Sequence, residues 1–100
     1  MPRGLAVELN GVSFDGCDEK TGAMLEAKGE GYAWALTGPD TWQPYYTGAQ
    51  QIMDQVKEQT KAAPDRAINW YFAEEPVADY FREQFAVYPN VTVIYQPRKE

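Results

Sequence analysis

The pair Asn10-Gly11 constrains the fold more than any other two residues, because it lies between two runs of alternating apolar residues. A two-residue type I′ turn needs positive φ at both central positions, which Asn and Gly tolerate, so the pair predicts a tight β-hairpin. The strand over residues 5–9 then returns over residues 12–15. Leu9 faces Val12 across the ladder, Glu8 faces Ser13, Val7 faces Phe14 and Ala6 faces Asp15. Alternation puts Val7, Leu9, Val12 and Phe14 on one apolar face, and Glu8, Ser13 and Asp15 on the other. Two carboxylates on one side of a hairpin are the first chemical clue.

Downstream, residues 16–22 read as a polar connection, and residues 24–28 as a third strand in which Leu25 and Ala27 face the core while Glu26 and Lys28 point the other way. Residues 32–46 are rich in aromatics and broken by Gly38, Pro39 and Pro44; a short helix in part of them is the most that the pattern supports. A helical period runs from about residue 47 to 63, with Ala49, Ile52, Met53 and Val56 on one stripe and Pro64 beyond its end. Residues 67–72 read as a central strand. A second helix over 75–86 has Pro76 in its first turn and Val77, Tyr80, Phe81 and Phe85 as its buried stripe. Residues 91–95 form a last strand. The expected fold is α/β (α+β), a single domain over residues 1–100 with a mixed central sheet: a β-meander, then helix, strand, helix, strand.

Composition narrows the chemistry. The chain has no histidine and one cysteine, Cys17, so it excludes Ser-His-Asp and Cys-His nucleophilic sites, His- or Cys-based zinc sites and an internal disulfide. A metal held here must take oxygen ligands, which selects hard ions such as Mg²⁺ or Mn²⁺. No apolar run approaches the roughly 20 residues of a membrane span, and the first residues lack a signal peptide's apolar centre. The net charge of −6 has the wrong sign for gripping a polyanion by bulk electrostatics.

Within those limits, Asp15 at the end of one strand and Glu26 on the next make a compact oxygen site, and the alanine between Glu26 and Lys28 keeps both on one face. Carboxylate-bound Mg²⁺ or Mn²⁺ activates water and binds a phosphate oxygen, while a lysine beside it stabilises developing negative charge. Asp15, Glu26 and Lys28 are therefore the candidate catalytic residues for phosphodiester hydrolysis. Glu8, on the same face of the hairpin as Asp15, is a candidate third metal ligand.

Asp15 with Glu26-Ala27-Lys28 resembles the catalytic motif of the PD-(D/E)xK nuclease superfamily, whose restriction-endonuclease-like core has a similar order of elements. More narrowly, Asn10-Gly11-Val12-Ser13-Phe14-Asp15-Gly16, Leu25-Glu26-Ala27-Lys28-Gly29 and Trp70-Tyr71-Phe72-Ala73-Glu74 resemble restriction endonuclease fold toxin 5. The resemblance implies a DNase toxin of interbacterial competition, of the kind carried at the C-terminus of type VI secretion effectors. It would be secreted by one bacterium, act in the cytoplasm of another, and be neutralised by a cognate immunity protein. It implies metal-ligand roles for Asp15 and Glu26 and the catalytic-lysine role for Lys28. Gln55 and Gln59 resemble a glutamine pair of the family and are candidate accessory residues. So is Tyr71, which stands where the resemblance leads one to expect a histidine. No helix precedes Leu5, where the superfamily core begins with one. The expectation is that the chain is the C-terminal part of a larger effector, whose N-terminal region meets a secretion apparatus or chaperone. Two alternatives stay open: a catalytically inactive nuclease fold that binds a protein partner, and an RNase using the same site.

Overall fold

The computed structural model describes residues 7–38 and 41–97. Strands β1 (Val7–Leu9) and β2 (Val12–Phe14) pair antiparallel in the register that the turn dictates: Leu9 with Val12, Glu8 with Ser13, and Val7 with Phe14. Asn10 at φ 52° and Gly11 at φ 81° are both left-handed, as a type I′ turn requires. The expected partnership of Ala6 with Asp15 lies outside the described residues. Asn10 also donates its side-chain amide to the Ala62 carbonyl, 2.7 Å away, which ties the turn to the body of the fold.

The next three elements correct the expected meander. The hairpin forms a two-stranded sheet of its own, and a short β3 (Gly16–Cys17), inside the stretch read as a polar connection, is what pairs antiparallel with β4 (Met24–Lys28). The reason lies at Asp15. Its N–H donates to the Leu25 carbonyl at 3.0 Å, but its own carboxylate accepts the Ala27 N–H at 2.7 Å. A side chain thus takes a bond that a strand carbonyl would supply, the ladder stops, and the hairpin leaves the sheet.

The aromatic stretch holds a 3₁₀ turn (Ala33–Ala35) and a second small hairpin of β5 (Leu36–Gly38) and β6 (Thr41–Trp42), which its glycine and prolines hid from periodicity. Helix α1 (Gly48–Ala62), strand β7 (Ile68–Phe72), helix α2 (Glu75–Gln84) and strand β8 (Val91–Tyr95) follow as the sequence predicts, with α2 tightening into a 3₁₀ turn (Phe85–Val87). The main sheet has the order β3-β4-β7-β8, with β4, β7 and β8 parallel. Mixed α/β architecture around a mixed sheet is therefore what the chain adopts.

Both helices pack on the face of the sheet that carries Met24, Glu26, Ile68, Trp70 and Phe72. Phe81 of α2 stacks on Phe72 with ring centroids 5.3 Å apart, and Phe85 meets Trp70 edge-on at 5.2 Å. Ile52 and Val56 of α1 join Phe14, Met24 and Ile68 in the same core. Burial of these large side chains is the main force holding the layers together. Leu25 is buried as expected, but the rest of β4 reverses the expected faces. Ala27 is exposed, whereas Glu26 is 3% exposed beneath α1.

Candidate active site

Glu26 occupies the middle of β4, with β3 on one side, β7 on the other and α1 above. A carboxylate in such a place must be hydrogen-bonded, because burying an unpaired charge is costly. Three donors reach it. Gln59 donates its Nε2 to Glu26 Oε1 at 3.0 Å, Gln55 donates its Nε2 to Oε2 at 2.9 Å, and the Lys28 Nζ lies 3.3 Å from Oε2. Gln55 and Gln59 are four residues apart on α1, so one helical turn stacks both amides over the same carboxylate.

Lys28 follows two residues along the strand on the same face. Its Nζ sits 5.5 Å from the centroid of the Trp70 ring, within the range of a cation–π contact. Trp70 is there because β7 runs parallel to β4 with Trp70 opposite Glu26, so their side chains share a face. Strand and helix together thus hold the ammonium between a carboxylate and an indole.

Asp15 approaches from the joint between hairpin and sheet. It is exposed, its Oδ2 is held by the Ala27 N–H, and it lies one step before Gly16, which pairs with Leu25. Burial pushes the Glu26 carboxyl above the ordinary glutamate value of 4.5. The Lys28 ammonium opposes that shift, the charge of Asp15 reinforces it, and the Gln59 and Lys28 hydrogen bonds oppose it, with the upward direction prevailing. A buried carboxylate raised further by the charge of Asp15 is an electrostatic arrangement that a divalent cation would relieve.

Asp15, Glu26 and Lys28 are brought together, as their spacing suggested. Gln55 and Gln59, which only the family resemblance singled out, turn out to grip Glu26 directly. Glu8 is exposed on the outer face of the hairpin. Among the described residues no group of three His, Cys, Asp or Glu side chains is placed to hold a metal, so Glu8 does not complete a set with Asp15 and Glu26 there. Tyr71 pairs with Ala27 and faces the opposite side of the sheet from Glu26. Trp70 was legible as a strand residue and as part of the motif that carries the resemblance; its place under Lys28 depends on the parallel register, which no local pattern reveals. Cys17 is half-buried and packs on the core. A groove of about 420 Å³ between residues 33–38 and α2 contains none of these side chains. The Glu26 cluster is instead polar, with Glu26 buried, Lys28 and Gln55 half-buried and Asp15 exposed at its edge.

No helix among the described residues is long and apolar enough to cross a membrane. No curated protein matches the chain. The family model of restriction endonuclease fold toxin 5 matches residues 5–75, which include the hairpin, Asp15, Glu26, Lys28, both glutamines of α1 and strand β7. Over nearly three quarters of its length, therefore, the chain belongs to the restriction endonuclease fold toxin 5 family.

Proposed function

We propose that the chain is a metal-dependent nuclease toxin whose phosphodiester-cleaving site is built by Asp15, Glu26 and Lys28. Family membership makes nuclease toxicity the coarse expectation. The observation that carries the site is the buried Glu26 carboxylate, held by Gln55, Gln59 and Lys28 and flanked by Asp15. Such a desolvated, multiply held carboxylate is costly as mere structure, and perturbed carboxylates of this kind concentrate at functional sites.

The donor set fits a hard divalent cation. Asp15 Oδ2 is engaged with Ala27, leaving Oδ1, and on Glu26 Oε2 is taken by Gln55 and Lys28 while Oε1, which accepts only from Gln59, keeps a lone pair for a cation. Mg²⁺ is commonly held by one or two carboxylates with water and phosphate completing the shell, so two suffice. When bound, the ion would acidify a water and neutralise phosphate charge. The remaining work belongs to the chain. Gln55 and Gln59 fix the orientation of Glu26, and Trp70 supports Lys28 so that its ammonium can turn from Glu26 to a phosphate oxygen.

DNA is the proposed substrate, in keeping with a secreted effector of the type VI class that acts in the cytoplasm of a target bacterium and is restrained by an immunity protein. The test is expression of wild type and Lys28→Ala inside a bacterium, with purified proteins assayed on plasmid DNA and RNA side by side in Mg²⁺ and Mn²⁺. Growth arrest and DNA cleavage by wild type, both lost in Lys28→Ala, are expected. Cleavage of RNA alone would move the substrate to RNA. A folded wild type that is harmless and cleaves neither would favour a catalytically silent binding module.

A further inference from the structure

We propose that the aromatic segment between β4 and α1 is a stacking platform for unpaired nucleobases, so that the site takes single-stranded or locally unpaired nucleic acid. The inference rests on the nuclease reading for its substrate and adds which form of that substrate is bound. Trp34 is 67% exposed and Tyr45, farther along the segment, is 97% exposed. Core packing accounts for Trp42, Tyr80 and Phe81, which contact one another, but leaves these two rings at the surface.

Trp34 is nevertheless held in place. Its Nε1 donates to the Gly31 carbonyl at 2.8 Å, and its ring meets Tyr46 edge-on at 5.6 Å. Tyr46 stacks on Trp42 at 5.3 Å, Trp42 touches Phe81, Phe81 stacks on Phe72, and Phe72 lies against Trp70 under Lys28. A continuous run of rings thus joins the exposed indole to the catalytic lysine. The backbone at its outer end is clamped as well, because Glu74 Oε1 accepts the N–H groups of Tyr32 at 2.8 Å and Ala33 at 3.0 Å. An exposed ring fixed this firmly loses little conformational freedom when a base stacks on it.

Charge decides between duplex and single strand. Duplex binding depends on cationic contacts that release counterions, and a chain of net charge −6 is ill-suited to that, even with one divalent ion bound. A duplex also hides the faces of its bases. Unpaired bases offer those faces, stacking on aromatic side chains adds binding energy that does not depend on charge, and a single strand releases fewer counterions per phosphate than a duplex. The six residues from Lys28 to Trp34 span at most about 20 Å when extended. That is about six nucleotides at the 3.4 Å spacing of a helical strand. The platform therefore lies within reach of a strand whose phosphate is at Lys28.

The experiment measures anisotropy of a labelled twelve-nucleotide oligothymidylate and of a labelled duplex in EDTA, for wild type, Trp34→Ala and Trp34→Phe, with cleavage of the same molecules in Mn²⁺. Wild type is expected to prefer the single strand, with a salt dependence shallower than that of the duplex. Trp34→Ala should weaken that binding by about 5- to 150-fold, the equivalent of 1–3 kcal/mol per stacked base. Trp34→Phe should recover most of it. Equal or tighter duplex binding, a salt dependence for the single strand steeper than for the duplex, or unchanged binding in Trp34→Ala would overturn the platform. The two readings separate cleanly. Trp34-dependent binding without cleavage in any divalent ion keeps the platform and removes the nuclease, whereas cleavage indifferent to Trp34 and to strandedness keeps the nuclease and removes the platform.

Discussion

Replacing Gln59 by leucine tests how the buried carboxylate is held. Gln59 is fully buried; its Nε2 donates to Glu26 and its Oε1 has no partner among the described residues. Leucine has a similar size and removes both atoms. Losing a hydrogen bond to a charged group costs about 1.5–3 kcal/mol, while removing a buried unsatisfied oxygen returns about 1–3 kcal/mol. The two nearly cancel near neutral pH. They do not cancel in the same way in acid, because the bond lost to a protonated Glu26 is a neutral one worth only about 0.5–1.5 kcal/mol. Relative to wild type, Gln59→Leu should therefore be more stable at about pH 4 than at about pH 8, by a difference of about 1–1.5 kcal/mol.

The sign follows from linkage. Glu26 is pushed above its ordinary 4.5 in the native state, so the native protein keeps this proton to higher pH than the unfolded chain does. Its contribution to stability therefore falls as pH rises through the window between the ordinary and the elevated value. Removing a donor to the charged form raises the native value further and enlarges the fall. Urea unfolding of both proteins at the two pH values, in EDTA, measures it. A wild-type-to-variant difference that is the same at both pH values, or that favours the variant more at high pH, would refute the reasoning.

Other consequences are checked more simply. Glu26→Gln removes the titrating group, so the variant should gain stability relative to wild type as pH rises above about 4.5; parallel unfolding curves across that range would contradict it. Gly48→Ala should destabilise by about 1–3 kcal/mol through overpacking, because a Cβ there would run into the Tyr46 ring and hydroxyl. Helix propensity alone favours alanine, by at most the roughly 1 kcal/mol of a helix interior because Gly48 begins α1, so a higher melting temperature would show that packing does not decide. Glu74→Ala should speed hydrogen exchange at the Tyr32 and Ala33 amides, which lose their carboxylate acceptor; unchanged protection would show that the clamp is unimportant.

The fold was most legible where local chemistry determines geometry. Asn10-Gly11 specified its turn and, through it, the whole register of β1 with β2, because two positive φ values leave few other choices. The helical stripes of α1 and α2 and the strand β8 were equally plain. What local pattern does not encode is where a ladder ends. Asp15 read as the last residue of a strand, yet its carboxylate caps the Ala27 N–H and sends the hairpin out of the sheet. Alternation paired Glu26 with Lys28 on one face but could not say that α1 would cover that face, and so placed Ala27 in the core instead. Helical period gave Gln55 and Gln59 no role; only the resemblance singled them out, and docking of α1 turns both amides onto Glu26. Residues 32–46 were illegible because strands of three and two residues and a single 3₁₀ turn are too short to show a period.

The central claim is that Asp15, Glu26 and Lys28 act with a divalent ion to cut nucleic acid. The most direct measurement is the initial rate of oligonucleotide cleavage as Mg²⁺ or Mn²⁺ is titrated into wild type and into Glu26→Gln, each shown to be folded by circular dichroism. Cleavage by wild type should rise from nothing in EDTA to saturation with metal, and Glu26→Gln should stay at the EDTA level throughout. Metal-independent cleavage, or cleavage by Glu26→Gln at the wild-type rate, would contradict the account.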